Sequence, residues 1–135
     1  MAAVVCGFSR TVQRTQRAAL EGEVKIDVRK KGRICILDIS GEIKLGEPTK
    51  LLREKCKELL AAEERLFVYN MTKVPWIDSS GVGEVVACRN RVMAQDGQMR
   101  AVLKDKAHDI FIMFELQKVM DIHKDLEEAL ASFAD

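Results

Sequence analysis

Two segments near the start of the chain have the hydrophobic periodicity of β-strands. In residues 23–31, apolar side chains occupy every second position from Val24 to Val28, with polar and charged residues between them. This alternation is typical of a strand with one face in water. Residues 34–39 are almost continuously apolar, as expected of a strand that is covered on both faces. Because the turn around Gly32 is short, we predict that the two strands form an antiparallel hairpin.

The rest of the chain alternates between helical and strand-like patterns. A helix is predicted from Pro48, which suits a first helical turn, to Ala62, and a buried strand is predicted at residues 66–71. Further along, the pattern predicts a helix from about residue 79, a short strand at 99–103, a helix with Ala107, Ile110, Phe111 and Phe114 on one face, an edge strand near residue 122, and a C-terminal helix with Leu126, Ala129, Leu130 and Phe133 on one face. Strand-helix-strand order implies parallel, right-handed crossovers. We therefore predict one α/β domain whose mixed sheet begins as a hairpin, continues as β-α units, and is covered by about four helices.

The stretch from Val74 to Gly83 joins a predicted strand to a predicted helix. Pro75 fixes its own φ and has no N–H, so it ends the preceding segment, and Asp78 has a short side chain that can cap the free amides of a helix. The helix then carries apolar residues that recur on one face: Val82, Val85, Val86, Val92 and Met93. Trp76, the only tryptophan, either packs beneath this junction or forms an exposed contact, and we favour packing.

The same junction has the chemistry of a loop that accepts negative charge. Ser79 and Ser80 carry hydroxyl groups at the positive end of the helix dipole, where a phosphate ester would be stabilised. Gly81 and Gly83 lack a Cβ atom, so another molecule could approach the backbone closely.

Composition and charge narrow the classes of partner. A length of 135 residues fits one domain, and a formal net charge of +1 gives no strong field toward nucleic acid or anionic lipid. No apolar run approaches the roughly 20 residues of a membrane span, and the N-terminus lacks the features of a secretory signal. The four cysteines, Cys6, Cys35, Cys56 and Cys88, have no metal-site spacing, so we expect reduced, mostly buried thiols in a cytoplasmic protein.

Residues 1–22 have no steady period, although Arg10, Arg14 and Arg17 lie at helical spacing. The segment is either a short basic helix that contacts a partner or, as is more common for such a leader, a mobile N-terminal arm or an over-long assignment of the chain start. We therefore place the folded domain at residues 23–134.

Residues 78–83, Asp-Ser-Ser-Gly-Val-Gly, resemble the signature of STAS domains, the fold of bacterial anti-sigma-factor antagonists. In that family the strand-helix junction reads Asp-Ser-Ser/Thr-Gly-hydrophobic-Gly, and the order of elements over residues 23–134 is also similar. The resemblance implies that Ser79 is the phosphoacceptor. The residues that it implies as support for the phosphorylated loop are Asp78, Ser80, Gly81 and Gly83.

A second similarity lies in the loop after the second predicted strand. The sequence Ser-Gly-Glu-Ile at residues 40–43 is similar to the Gly-Glu-hydrophobic step that commonly precedes the first helix of STAS domains. The next position is often Asp at the partner surface of anti-sigma-factor antagonists, whereas here it is Lys44, which reverses the charge. Gly41 is either a tight turn or a partner contact. The partner surface that the resemblance implies consists of Gly41, Glu42, Lys44, Ser79, Ser80 and Val82.

The resemblance also implies a function and its partners. Unphosphorylated anti-sigma-factor antagonists bind an anti-sigma factor that is also a serine kinase, and this binding frees a sigma factor. Phosphorylation ends the binding, and a serine phosphatase restores it. A different class of function stays open, in which the STAS module is a scaffold or accessory subunit of a sensory or transporter complex. The oligomeric state stays open between a monomer and a weak dimer.

The residues do not favour an enzyme, a cofactor or a metal site. Ser79 is not in the Gly-x-Ser-x-Gly context of an α/β-hydrolase, and the two histidines, His108 and His123, are more typical of surface or capping positions than of a general base. The glycine pair of the junction lacks the remaining residues of a nucleotide-binding loop. Asp78 has no second carboxylate within helical reach that could share a metal ion with it.

Overall fold

The computed structural model describes residues 24–133, which contain five strands and four α-helices. The strands are β1 (Lys25–Lys31), β2 (Ile34–Ser40), β3 (Leu66–Lys73), β4 (Gln98–Val102) and β5 (Asp121–His123). The helices are α1 (Glu47–Ala61), α2 (Ser79–Ala94), α3 (Asp105–Met113) and α4 (Leu126–Ala131), and a 3-10 helix spans Leu116–Lys118. No helix in this range combines the length and the apolar character that crossing a lipid bilayer requires. The predicted N-terminal arm lies outside the described residues, so the boundary at residue 23 stays a prediction.

The five strands form one mixed sheet in the order β1-β2-β3-β4-β5. β1 and β2 are antiparallel, and only two residues separate the paired Lys31 and Ile34. Gly32 adopts the positive φ of 61° that is favourable in such a tight turn. Every later pair of neighbouring strands is parallel and is connected through a helix. The predicted fold class, a hairpin followed by β-α units, is therefore confirmed.

The two faces of the sheet carry hydrophobic cores of different size. One face packs against α1, α2 and α3 through a large cluster that includes Leu37, Phe67 and Phe111. The other face packs against α4 through a small cluster around Ile36. β2 lies between the two cores, and its residues 35–37 are completely buried, as the continuous apolar run predicts. Each large apolar side chain buried in this way contributes about 1.5–3 kcal/mol to stability.

The part of the second face that α4 does not cover is polar. Arg29 Nε donates a hydrogen bond to Asp38 Oδ2 (2.6 Å), and Asn70 Nδ2 donates one to Asp38 Oδ1 (2.8 Å). Asn70 Oδ1 in turn accepts a hydrogen bond from Thr72 Oγ1 (3.0 Å). These contacts link β1, β2 and β3 through side chains and leave Asp38 with both carboxylate oxygens engaged.

Among the described residues, 24–133, neither edge of the sheet presents a long apolar strand. β1 has exposed Arg29, Lys30 and Lys31 at its end, and Lys30 is paired with Glu64. β5 consists of three residues only, 121–123, and pairs with β4 along its whole length.

Three apolar residues that the pattern places in the core are exposed instead. Trp76 is 42% exposed because its neighbour Ile77 takes the buried position in the same loop. Met93 is exposed because α2 directs Val92 toward the sheet, and the next helical residue is rotated by about 100°. Phe114 follows the last residue of α3 and so lies outside the apolar face of that helix.

Candidate functional site

The loops that follow β2 and β3 lie side by side at the carboxyl edge of the sheet, and we refer to them as loop 41–46 and loop 74–78. Ile43 and Ile77 form an isolated parallel bridge between them. Backbone hydrogen bonds also connect loop 41–46 to the end of β3 and to loop 74–78: Gly41 N to Lys73 O (3.1 Å), Ile43 N to Trp76 O (3.0 Å) and Asp78 N to Ile43 O (3.0 Å). The two segments that resemble the STAS partner surface are thus adjacent, at the sheet edge where α/β folds commonly bind ligands.

Asp78 fixes the start of α2 against loop 41–46. It is the N-cap residue of the helix, and its Oδ1 accepts a hydrogen bond from Gly81 N (2.9 Å). Its Oδ2 accepts a second hydrogen bond from Leu45 N (3.2 Å). Because both carboxylate oxygens bind backbone N–H groups, Asp78 positions the two loops relative to the helix. Within residues 24–133, no group of three or more His, Cys, Asp or Glu side chains could hold a metal ion.

Gly81 is required by packing inside the protein. A Cβ atom at this position would lie 2.6 Å from Ile77 Cγ1, 2.7 Å from Ile43 Cγ2 and 2.8 Å from Ile43 O, all closer than real Cβ contacts. The first turn of α2 therefore rests directly on the bridge between the loops. The expectation that another molecule approaches Gly81 is wrong, because Ile43 and Ile77 occupy that space. Gly83 is exposed, and a Cβ atom there would meet nothing within 4 Å.

The two serines of the junction differ in accessibility. Ser79 is the first residue of α2 and is exposed, whereas Ser80 is half-buried. Both lie in the first helical turn, where free N–H groups and the helix dipole favour negative charge. Ser79 is thus the more accessible of the two hydroxyl groups for a modifying enzyme.

The other residues predicted for the partner surface also differ in how exposed they are. Lys44 is exposed, and its Nζ lies 3.3 Å from Glu42 Oε1, so the two charges form an ion pair at the surface. Gly41 has a φ of 95° and donates its N–H to Lys73, which supports the tight-turn interpretation. Val82 is buried in the large core, and its burial contradicts the predicted contact with a partner.

Two exposed apolar residues on these loops are absent from the sequence-based set of site residues. Leu45 is 76% exposed on loop 41–46, and Trp76 is exposed on loop 74–78. Both are held at the junction of the loops, because Leu45 N binds Asp78 and Trp76 O binds Ile43 N. The only sequence signal for Leu45 is a lone leucine outside any regular pattern, and the exposed alternative for Trp76 is the correct one. Exposed large apolar side chains on adjacent loops are candidates for contact with a protein partner.

We expect Asp78→Ala to lower the free energy of unfolding by about 1–2 kcal/mol, because it removes the hydrogen bonds to Gly81 and Leu45. Asp78→Asn should retain most of the stability, because its amide oxygen can still accept the hydrogen bond from Gly81 N. It should lose only the hydrogen bond from Leu45 N, because an amide nitrogen cannot accept one. Urea denaturation followed by far-UV circular dichroism measures both changes. Equal stability of Asp78→Ala and the wild type would show that the carboxylate does not hold the loops together.

The fold and this junction define the family of the chain. The family model of the STAS domain matches residues 25–129. The structure has the hairpin, the β-α units and the Asp-Ser-Ser-Gly junction that are expected of that family. The protein therefore belongs to the STAS domain family. No curated protein sequence matches the chain.

Solved structures share the fold at low sequence identity. A candidate anti-sigma factor antagonist from Thermotoga maritima has a TM-score of 0.75 and 16% identity, over 82% of this chain and 95% of that chain. An anti-sigma factor antagonist from Mycobacterium paratuberculosis has a TM-score of 0.74 and 18% identity, over 84% and 97% of the two chains. The cell fate determinant SpoIIAA of Bacillus, in its phosphorylated form, has a TM-score of 0.61 and 18% identity, over 79% and 97%. At these identities the likeness concerns the fold.

Proposed function

We propose that this protein is an anti-sigma-factor antagonist that binds its partner in the unphosphorylated state and releases it when Ser79 is phosphorylated. The observation that carries the proposal is the position of Ser79, which is exposed at the first residue of α2 beside loop 41–46 and loop 74–78. Membership of the STAS family and the Asp-Ser-Ser-Gly sequence of the junction support it. The fold shared with anti-sigma factor antagonists supports it as well.

A phosphate on Ser79 would change the surface without unfolding the domain. It adds about two negative charges and three acceptor oxygens, next in sequence to the Asp78 carboxylate, which already binds Gly81 and Leu45. The free N–H groups of the first helical turn stabilise negative charge at this position. A partner surface that fits the neutral hydroxyl would meet both a steric obstacle and a new charge. Phosphorylation of Ser79 would therefore change which partner the protein binds, while the domain keeps its fold.

The exposed residues of the two loops give the proposed partner surface both apolar and charged side chains. Leu45 and Trp76 supply the apolar area, and aromatic residues of this kind contribute much of the binding free energy in protein interfaces. The ion pair of Glu42 and Lys44 lies on the same loop as Leu45. Since charged groups of an interface influence which partners are accepted, this ion pair contributes to the choice of partner.

The partners that fit this switch are an anti-sigma factor with serine kinase activity and a serine phosphatase. The protein is then a binding module and a kinase substrate, and it has no enzymatic role of its own. The balance of kinase and phosphatase sets how much sigma factor is free for transcription in the bacterial cytoplasm. SpoIIAA, which shares the fold, exists in a phosphorylated form, and this supports a phosphorylation cycle here.

Intact-mass analysis of the protein isolated from its native cells, with fragmentation to locate any phosphate, tests the proposal. We expect one phosphate on Ser79 in a fraction of the molecules, and we expect the fraction to change with growth conditions. Ser79→Ala should abolish labelling by the co-purifying kinase while partner binding is retained. Ser80→Ala is the matched control in the same helical turn and should be labelled normally.

Undiminished labelling of Ser79→Ala, or a phosphate on Ser80, would contradict the proposed phosphoacceptor. A protein that is unmodified under every growth condition and co-purifies with a membrane protein or a large assembly of STAS proteins would contradict the switch. That result would instead support a scaffold or accessory subunit of a sensory or transporter complex.

A further inference from the structure

Two buried cysteines meet where α1 crosses α2. Cys56 and Cys88 are both completely buried and free. Cys56 Sγ lies 3.8 Å from the carbonyl oxygen of Cys88, and Cys88 Sγ lies 3.8 Å from the carbonyl oxygen of Leu52, one helical turn before Cys56. Each thiol thus reaches the backbone of the opposite helix, and both sulfurs lie within the crossing. A disulfide requires such a close crossing, because its two Cα atoms must lie about 4.4–6.8 Å apart.

The hydroxyl group of Tyr69 on β3 lies beside the two thiols. The side chain is completely buried, and its hydroxyl has no well-formed hydrogen bond to any partner within residues 24–133. Burial raises the pKa of Tyr69 well above its usual value, and the neighbouring Cys88 and Cys56 raise it further. A buried hydroxyl without a partner is energetically unfavourable. The same hydroxyl is available as a donor to a sulfur that carries negative charge.

A carboxylate and a guanidinium group contact the Cys88 thiol. Glu84 Oε2 and Arg91 Nη1 each lie 3.8 Å from Cys88 Sγ. The two charged groups also bind each other, at 3.0 Å between Arg91 Nη1 and Glu84 Oε2. Arg91 therefore supplies positive charge that can stabilise a thiolate at the crossing, while Glu84 keeps the Cys88 thiol protonated.

A groove between α1 and α2 reaches the crossing at Arg91. Its volume is about 410 Å³, and it is lined by Lys57, Leu60, Ala61, Arg91, Ala94 and Gln95. Arg91 is part of the groove wall, contacts the Cys88 sulfur, and has a partly exposed side chain. Arg91 is therefore the residue that links the groove to the Cys88 thiol.

The three described cysteines differ in the direction of their pKa shifts. The neighbouring Cys88 lowers the pKa of Cys56, whereas the neighbouring Cys56 and burial raise the pKa of Cys88. Burial raises the pKa of Cys35 to about 12. Since the thiolate is the nucleophile, these directions favour Cys56 as the attacking thiol of the pair and disfavour Cys35.

We propose that Cys56 and Cys88 are a redox site at which hydrogen peroxide forms an intramolecular disulfide between α1 and α2. The Cys56 thiolate attacks a peroxide oxygen, the O–O bond breaks, and Cys56 becomes a sulfenic acid while hydroxide leaves. The Cys88 sulfur then attacks the Cys56 sulfur, the S–O bond breaks, and the Cys88 proton leaves with the second hydroxide as water. The two protons lost by the thiols and the two hydroxides from the peroxide make two water molecules.

The redox reaction of Cys56 and Cys88 is separate from the phosphorylation of Ser79 and does not depend on the proposed function. α1 follows loop 41–46 and α2 follows loop 74–78, so the disulfide would join the two helices that carry these loops. A dithiol reductant would restore the free thiols. The site is therefore reversible.

Peroxide treatment of the folded, reduced, full-length protein tests the proposal. Thiols that remain are blocked with iodoacetamide after denaturation and counted by mass. The chain has four cysteines, so we expect four blocked thiols before peroxide and two after it. Proteolysis should then yield one peptide pair that links Cys56 to Cys88. Protein unfolded in urea during the peroxide step is the control, and it should not give this pair selectively.

Variants separate the pair from the other cysteines. Cys35→Ala is the matched control and should lose two free thiols on oxidation, as the wild type does. Cys56→Ala and Cys88→Ala should form no intramolecular link. A cross-linked peptide that contains Cys35 or Cys6, or an unchanged thiol count in the folded wild type, would overturn the proposal. If either alanine variant fails to fold, the wild-type peptide map decides the question alone.

Discussion

Gly81→Ala is expected to lower the free energy of unfolding by about 2–3 kcal/mol. The new Cβ atom would lie 2.6–2.8 Å from atoms of Ile77 and Ile43, and one of these atoms is the carbonyl oxygen of Ile43. Because a backbone oxygen cannot rotate away as a side chain can, the first turn of α2 would have to separate from loop 41–46. Asp78 would then lose the geometry of its hydrogen bonds to helix and loop.

Gly83→Ala is the matched control, because it adds the same methyl group two residues later in the same helix. Nothing lies within 4 Å of a Cβ atom at this position. We expect the free energy of unfolding to rise by about 0.5–1 kcal/mol, since alanine has the higher helix propensity. Urea denaturation followed by far-UV circular dichroism gives both values. Similar changes in the two variants would contradict the packing role of Gly81.

Trp76→Ala is expected to weaken partner binding by about 30-fold, which corresponds to roughly 2 kcal/mol. Trp76 is 42% exposed in the free protein, so its truncation also removes some packing within the domain, and thermal unfolding must show that the variant is folded at the temperature of the binding measurement. In a complex that covers loop 74–78, the indole ring would contribute a large apolar area at low entropic cost. Leu45→Ala should act in the same direction with a smaller effect, because leucine has the smaller area. Isothermal titration calorimetry with the co-purified partner measures both affinities.

Met113→Ala is the control for these two variants. Met113 is 70% exposed but lies at the end of α3, which runs from the carboxyl edge of the sheet back toward the opposite edge. Its truncation should leave the affinity unchanged within about twofold. An equal loss of affinity for Met113→Ala and Trp76→Ala, with unchanged thermal unfolding, would place the partner surface elsewhere.

Features that depend on neighbours along the chain could be predicted from the sequence. The continuous apolar run at residues 34–39 predicts a strand with two covered faces, and residues 35–37 are completely buried. Pro48 and Asp78 mark the beginnings of two helices, and α1 and α2 start within one residue of them. These signals are local, because capping and strand periodicity are properties of a few consecutive residues.

Features that depend on distant segments could not be predicted in the same way. The sequence of the junction suggests an accessible Gly81, and only the position of Ile43 explains why no side chain fits there. Whether Trp76 is buried depends on which residue of its irregular loop fills the core. Cys56 and Cys88 are 32 residues apart and form no motif, so only the crossing of two helices brings them together.

The charged and short edges of the sheet make polymerisation by strand addition unfavourable. β1 ends in an arginine and two lysines, and charged side chains on an edge strand are a common protection against aggregation. β5 offers too few backbone groups to template another strand. Assembly of copies into fibrils through the edges of the sheet is therefore unfavourable.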